Sequence, residues 1–94
     1  MTQGMQERIS QKLALALQPF RLDIVNDSGR HAGHAGDDGS GESHFSVLVV
    51  SDKFDGKSRV ERQRIVYDLL AEELSGSLHA LSLKTMTRDE YHRV

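Results

Sequence analysis

Three stretches in the second half of the chain decide its fold. They read HFSVLVVS at residues 44–51, SRVE at residues 58–61 and LHALSLKT at residues 78–85. The first stretch carries apolar side chains on both faces of an extended chain, a pattern typical of a central strand. The second is a capping box, in which a serine and a glutamate satisfy free amides at the start of a helix. The third predicts another strand.

A helix is predicted to connect these two strands, from Ser58 to about Leu74. Ser75 and Gly76 end it, as glycine commonly does after a last helical turn. A helical crossover of this length allows the two strands to pair in parallel, and the connection should be right-handed. Its core face is formed by the apolar residues Val60, Val66, Leu69, Leu70 and Leu74.

The first quarter of the chain predicts one more helix and one more strand. Apolar residues recur at steps of three and four from about residue 3 to residue 17, and Pro19 closes this helix. Phe20, Leu22 and Ile24 then alternate with charged residues, which is typical of a half-buried strand. This strand should pair antiparallel with residues 44–51. At the other end of the chain, a second capping box predicts a short terminal helix.

We therefore expect a single domain over residues 1–94 with an α+β fold. The predicted order is helix, strand, strand, helix, strand, helix, which gives a three-stranded mixed sheet with helices packed on it. The core is predicted to contain Leu13, Ile24, Val47, Val49, Val66, Leu70 and Leu81.

Composition restricts the classes of function. A net charge of −2 argues against a protein that coats nucleic acid non-specifically. The chain has no cysteine, so it can form neither a disulfide nor a metal site from its own thiolates. Neither a signal peptide nor a membrane span is visible, which favours the cytoplasm. No nucleophile–base pair or phosphate-binding glycine motif points to an enzyme.

Histidines are predicted to gather at one end of the sheet. Residues 29–42 contain five glycines and should form a flexible loop that joins the first two strands. If the last two strands are parallel, His31, His34, His44 and His79 all lie at that end. Imidazole binds zinc, copper and iron, so this end is a candidate metal site. The alternative is that these histidines are solvated or bond backbone carbonyls, and their spacing is not a zinc signature.

The chain resembles the BolA family over about residues 5–92. The resemblance rests on FDGKSRVERQR at residues 54–64, LAEEL at 70–74 and HALSL at 79–83, with NDS at 26–28 and ESHF at 42–45. It implies a fold like that of class II KH domains. It also implies a non-enzymatic adaptor that partners a monothiol glutaredoxin of the CGFS type around a shared [2Fe–2S] cluster.

The family resemblance also implies a set of cluster ligands. The glutaredoxin supplies a cysteine and a bound glutathione thiol, and the BolA-like chain supplies His79 and one loop residue. That loop ligand is cysteine in one subgroup and histidine in another, and this chain resembles the histidine subgroup. His31 matches the loop position, and His34 is close enough to compete with it. The isolated chain is expected to hold no cluster and to be a monomer or a weak dimer.

DNA binding is the alternative function that the resemblance implies, because the family is associated with transcriptional control and stress responses. Lys57, Arg59, Arg62 and Arg64 cluster at the start of the long helix and are candidate contacts to the phosphates of duplex DNA. Nearby acidic residues dilute this patch, and the aromatic residues typical of single-strand binders are missing. The competing interpretation is a solvated helix face. Gln63 stands where many family members have histidine, and Tyr91 where many have tryptophan.

Overall fold

Helices and strands follow one another in the order that the sequence predicts. The computed structural model describes residues 4–26, 44–76 and 78–93, and the structural statements below concern these residues. A 3₁₀ turn, Asp52–Phe54, precedes the second long helix. The elements are α1 (Met5–Leu17), β1 (Arg21–Asn26), β2 (His44–Val50), α2 (Arg59–Leu69), α3 (Ala71–Leu74), β3 (Ala80–Met86) and α4 (Arg88–His92).

The three strands form one mixed sheet in the order β1-β2-β3. β1 pairs antiparallel with β2, and Arg21 lies opposite Val50. β3 pairs parallel with β2, and Ala80 lies opposite His44. The predicted α+β class, the central position of β2 and both strand directions are therefore confirmed.

The core lies between one face of the sheet and the helices α1 and α2. Leu13, Val47, Val49, Val66 and Leu70 are buried as predicted. Ile24 and Leu81, also predicted in the core, are only partly buried, because they lie on the two outer strands.

The predicted helix over residues 58–74 differs from the structure in two respects. It divides at Leu70, whose backbone (φ −104°, ψ 17°) leaves the helical region, so that α3 follows as a separate turn. Val60, expected on the core face, is 61 % exposed. Val60 lies six positions before the buried Val66, and at 3.6 residues per turn this places Val60 about 120° away around the helix.

Both predicted capping boxes are present. The Glu61 amide donates to Ser58 Oγ over 3.1 Å, and the Ser58 amide donates to the Glu61 carboxylate over 2.9 Å. Thr87 and Glu90 make the same pair of bonds at the start of α4. Between β2 and α2, Gly56 has a φ of 76°, which only glycine adopts without strain. Within the described ranges, no helix is long and apolar enough to cross a membrane.

Candidate functional site

The sheet topology brings His44 and His79 to the same end of the molecule. His44 begins β2, and its partner across the parallel pairing is Ala80, the residue directly after His79. β1 ends at this edge too, because Asn26 lies opposite Phe45. The predicted gathering of histidines is confirmed for His44 and His79. His31, His34 and the predicted loop over residues 29–42 lie outside the described residues.

Buried neighbours hold the backbone that carries His79. Leu78 is only 1 % exposed, and its amide donates to the carbonyl oxygen of Glu73 over 3.1 Å. The residue after His79 enters the β2–β3 ladder. His79 itself is exposed to solvent. The chain thus presents this imidazole from a backbone fixed on both sides, which suits a ligand whose position is set before a partner arrives.

The Glu73 carboxylate ties this region to α1. It accepts hydrogen bonds from Arg8 Nη2 over 2.9 Å and from Lys12 Nζ over 2.9 Å, and its side chain is fully buried. Burial alone raises the pKa of Glu73, but the bonds from Lys12, its own backbone amide and Arg8 outweigh burial and lower it. Glu73 therefore stays ionised at neutral pH and joins α1 to α3 just before His79.

Within the described chain, the donors at this end do not make up a complete metal site. Within residues 4–26, 44–76 and 78–93, no three or more histidine, cysteine, aspartate or glutamate side chains are grouped so that they could hold a metal ion. No thiolate can complete the set, since the sequence has no cysteine. Imidazole nitrogens are donors that suit iron, copper and zinc.

The second predicted site, the basic surface at the start of α2, is assembled only in part. Lys57, Arg59 and Arg64 are exposed to solvent. Arg62 differs from them, because its two terminal nitrogens donate to the Glu90 carboxylate over 2.6 and 3.1 Å. Its Nε also donates to the Lys57 carbonyl oxygen over 2.9 Å, and its side chain is 12 % exposed. Three of the four predicted phosphate contacts therefore face solvent, while the fourth is engaged within the molecule.

Sequence reasoning did not identify Glu73 and Glu90 as anchors of these two regions. The hydrogen bonds from Arg62 and the Thr87 amide lower the pKa of Glu90 to about 2. The capping box placed Glu90 at the start of α4, but it carried no information about Arg62, which lies 28 residues earlier. Glu73 follows another glutamate, Glu72, and nothing in this local sequence distinguishes the buried one from the exposed one.

Comparisons with known proteins agree with the fold and the motifs. The profile of the family described as BolA-like protein matches residues 13–90. The DNA-binding transcriptional regulator BolA of Escherichia coli (strain K12) is 48% identical over 85 residues, which are 90% of this chain and 77% of that protein. SufE-like protein 1 of Arabidopsis thaliana is also 48% identical, over 87 residues, but the chain spans only 24% of its length.

Solved structures show the same likeness. BolA1 from Arabidopsis thaliana superimposes with a TM-score of 0.85 at 43% identity, covering 96% of this chain and 98% of that one. The BolA domain of SufE1 from the same plant gives a TM-score of 0.84 at 43% identity, covering 96% and 99%. The described architecture is therefore shared along nearly the whole of these two structures.

Proposed function

We propose that this chain, which belongs to the BolA-like protein family, is a non-enzymatic adaptor that shares a [2Fe–2S] cluster with a monothiol glutaredoxin. The observation that carries the proposal is the parallel pairing of β2 with β3. This pairing puts His79 and His44 at the same end of the sheet, where β1 stops and β2 starts. His31 and His34 lie between those two strands in the sequence.

The chain's donors suit one side of such a cluster. His79 is the ligand held by the fold, and His31 or His34 is the second. The thiolates that this chain lacks would come from the glutaredoxin cysteine and from glutathione. Replacing two thiolates by histidines on one iron raises the potential of a [2Fe–2S] cluster, which fits assembly, trafficking, or iron and redox sensing. Imidazole must be neutral to coordinate, so the shared site should be sensitive to acid.

Co-expression with the cognate monothiol glutaredoxin tests this proposal. The copurified complex should show the ultraviolet–visible and circular dichroism bands of a [2Fe–2S] cluster, and His79→Ala should weaken them. His92→Ala is a matched control, because His92 packs on Phe20 near the opposite end of the sheet. A colourless complex, or equal bands in wild type and His79→Ala, would contradict the proposal.

DNA binding is a second candidate function, and two observations favour it. The relative from Escherichia coli is described as a DNA-binding transcriptional regulator. Lys57, Arg59 and Arg64 are exposed around the N-terminus of α2, where positive side chains and free amides both favour phosphate. Electrophoretic mobility shifts with duplex DNA test this function, and both functions would be exercised in the cytoplasm. The two are compatible, since a partner at the histidine end leaves α2 accessible.

A further inference from the structure

A groove of about 590 Å³ runs along the outer edge of β3. One wall is α2, which contributes Arg59, Arg62 and Gln63, and Glu90 of α4 also lines the groove. The opposite wall is formed by four consecutive residues of β3, residues 83–86. Side chains alternate between the two faces of a strand, so consecutive residues line one groove only where it follows the edge of that strand.

Backbone groups on this edge point into the groove. The Ser51 amide donates to the Met86 carbonyl oxygen over 2.9 Å, which directs the backbone groups of Met86 towards β2. Because these groups alternate along a strand, those of Lys84 also face β2, and those of Leu83 and Thr85 face outward. In the described parts of the chain, no backbone or side-chain group outside the sheet bonds to these outward groups. They form a ladder edge that another strand can complete.

The other edge of the sheet is less accessible. α1 packs against β1, and its Gln6 side chain donates a long hydrogen bond of 3.5 Å to the carbonyl oxygen of Ile24. None of the described residues makes a comparable hydrogen bond to the outer edge of β3 over its C-terminal half, where the groove lies. The edge of β3, rather than that of β1, therefore offers outward backbone groups with which an added strand can form hydrogen bonds.

The charges around the groove specify the kind of strand. Arg59 on the α2 wall and Lys84 on β3 are both exposed. The charge of Arg62 is balanced by Glu90, so two positive charges remain for a ligand. A strand added to β3 would point alternate side chains towards Arg59 and towards Lys84, which favours acidic residues at both kinds of position.

We propose that the outer edge of β3 is a docking site for an acidic, extended segment of a partner protein, which adds a strand to the sheet. Main-chain bonds to Leu83 and Thr85 supply affinity, and Arg59 and Lys84 select for carboxylates. Single-stranded nucleic acid fits less well, because none of the groove-lining residues is aromatic and stacking platforms are what such ligands use. The site occupies the C-terminal half of β3, away from His79, so it does not depend on cluster binding.

The probe is a fluorescein-labelled heptapeptide of sequence EEVEEVE, which carries glutamates on both faces of an extended strand. We expect it to raise fluorescence anisotropy on binding, to shift the amide resonances of Leu83 and Thr85, and to slow their hydrogen exchange. A peptide with lysine in place of glutamate tests charge. The acidic peptide with every backbone amide methylated tests strand addition, and both of these peptides should fail to bind.

Variants of the chain also test the two contributions to binding, the main-chain hydrogen bonds and the charges. Thr85→Pro removes an outward amide while leaving the ladder to β2, and it should weaken binding about fivefold or more. Thr85→Val is its control, because it keeps that amide. Arg59→Glu should weaken binding of the acidic peptide, whereas Lys53→Glu, an exposed cation outside the groove, should leave it unchanged. If Thr85→Pro does not fold, Arg59→Glu and the methylated peptide still decide the question.

Three results would overturn the proposal. One is that the acidic peptide does not bind, and another is that its methylated form binds equally well. The third is that oligo-dT, rather than the peptide, shifts Leu83 and Thr85, which would assign the groove to nucleic acid. Loss of cluster binding in the same preparation would not affect any of these measurements.

Discussion

The guanidinium of Arg62 and the carboxylate of Glu90 join α2 to α4 through two hydrogen bonds of 2.6 and 3.1 Å. The same carboxylate also accepts a hydrogen bond from the amide of Thr87, the N-cap residue of α4. The Glu90 side chain thus takes part in the N-terminal capping box of α4 and also links α4 to α2. This bidentate geometry is the strong form of an arginine–carboxylate pair.

The pair should make stability depend on pH in acid. The pKa of Glu90 is about 2 in the folded chain, against an ordinary value of 4.5. Protonation therefore favours the unfolded state, so the stabilisation is complete above pH 4.5 and is lost as the pH falls towards 2. Urea unfolding between pH 6 and pH 2.5 should show a smaller acid loss of stability for Glu90→Gln than for wild type. If the free energy of unfolding fell equally with pH in the two proteins, Glu90 would make no such contribution.

The buried Glu73 should matter more for stability than its exposed neighbour Glu72. Glu73→Ala leaves Arg8 and Lys12 without a shared partner and opens a small cavity, and it should cost about 2 kcal/mol of unfolding free energy. Glu72→Ala removes only an exposed contact of 3.3 Å to Arg8, so its cost should stay below about 0.5 kcal/mol. Chemical denaturation measures both. Equal losses of unfolding free energy in the two variants would mean that burial of the Glu73 carboxylate does not affect stability.

Much of the fold could be predicted because its signals are local. Ser58 with Glu61, and Thr87 with Glu90, fix two helix starts through contacts three residues apart. The apolar residues of β2 on both faces indicated a central strand, and that position, with parallel pairing, placed His44 and His79 at the same end of the sheet.

The features that sequence could not provide depend on long-range packing. Arg62 looked like one more surface cation until the structure paired it with Glu90 across 28 residues. The partners of Glu73, Arg8 and Lys12, lie 65 and 61 residues earlier on α1, so no local pattern indicated them. The exposure of Val60, by contrast, follows from helix geometry and could have been found by counting turns from Val66.

If the chain binds duplex DNA, the paired Arg62 should contribute less than the three exposed cations. Each of Lys57→Ala, Arg59→Ala and Arg64→Ala should shallow the plot of log K against log salt by about one unit, since each removes one phosphate contact. Arg62→Gln should change this slope much less, because Glu90 already takes up its charge. Fluorescence titrations at several salt concentrations give the slopes. If all four variants changed the slope by the same amount, DNA binding would have to separate Arg62 from Glu90.

The last prediction concerns the relative importance of His79 and His31 in the shared cluster. His79 follows the buried Leu78 and precedes the β2–β3 ladder, and no other histidine adjoins it on β3. His31 has a second histidine three residues away, at His34, that can substitute for it. His79→Ala should therefore destabilise the cluster more than His31→Ala does, and His31→Ala should become more severe when His34→Ala is added.

Cluster loss from the copurified heterodimer, followed over time by visible circular dichroism, measures this order. His31→Cys should keep a cluster and shift its spectrum, because a thiolate replaces an imidazole on the same iron. None of these variants should unfold the domain, because His79 is exposed and the core formed by the described residues contains no histidine. Far-ultraviolet circular dichroism checks that point. Equal cluster retention in wild type and His79→Ala would remove His79 from the ligand set, and faster loss in His31→Ala than in His79→Ala would reverse the predicted order.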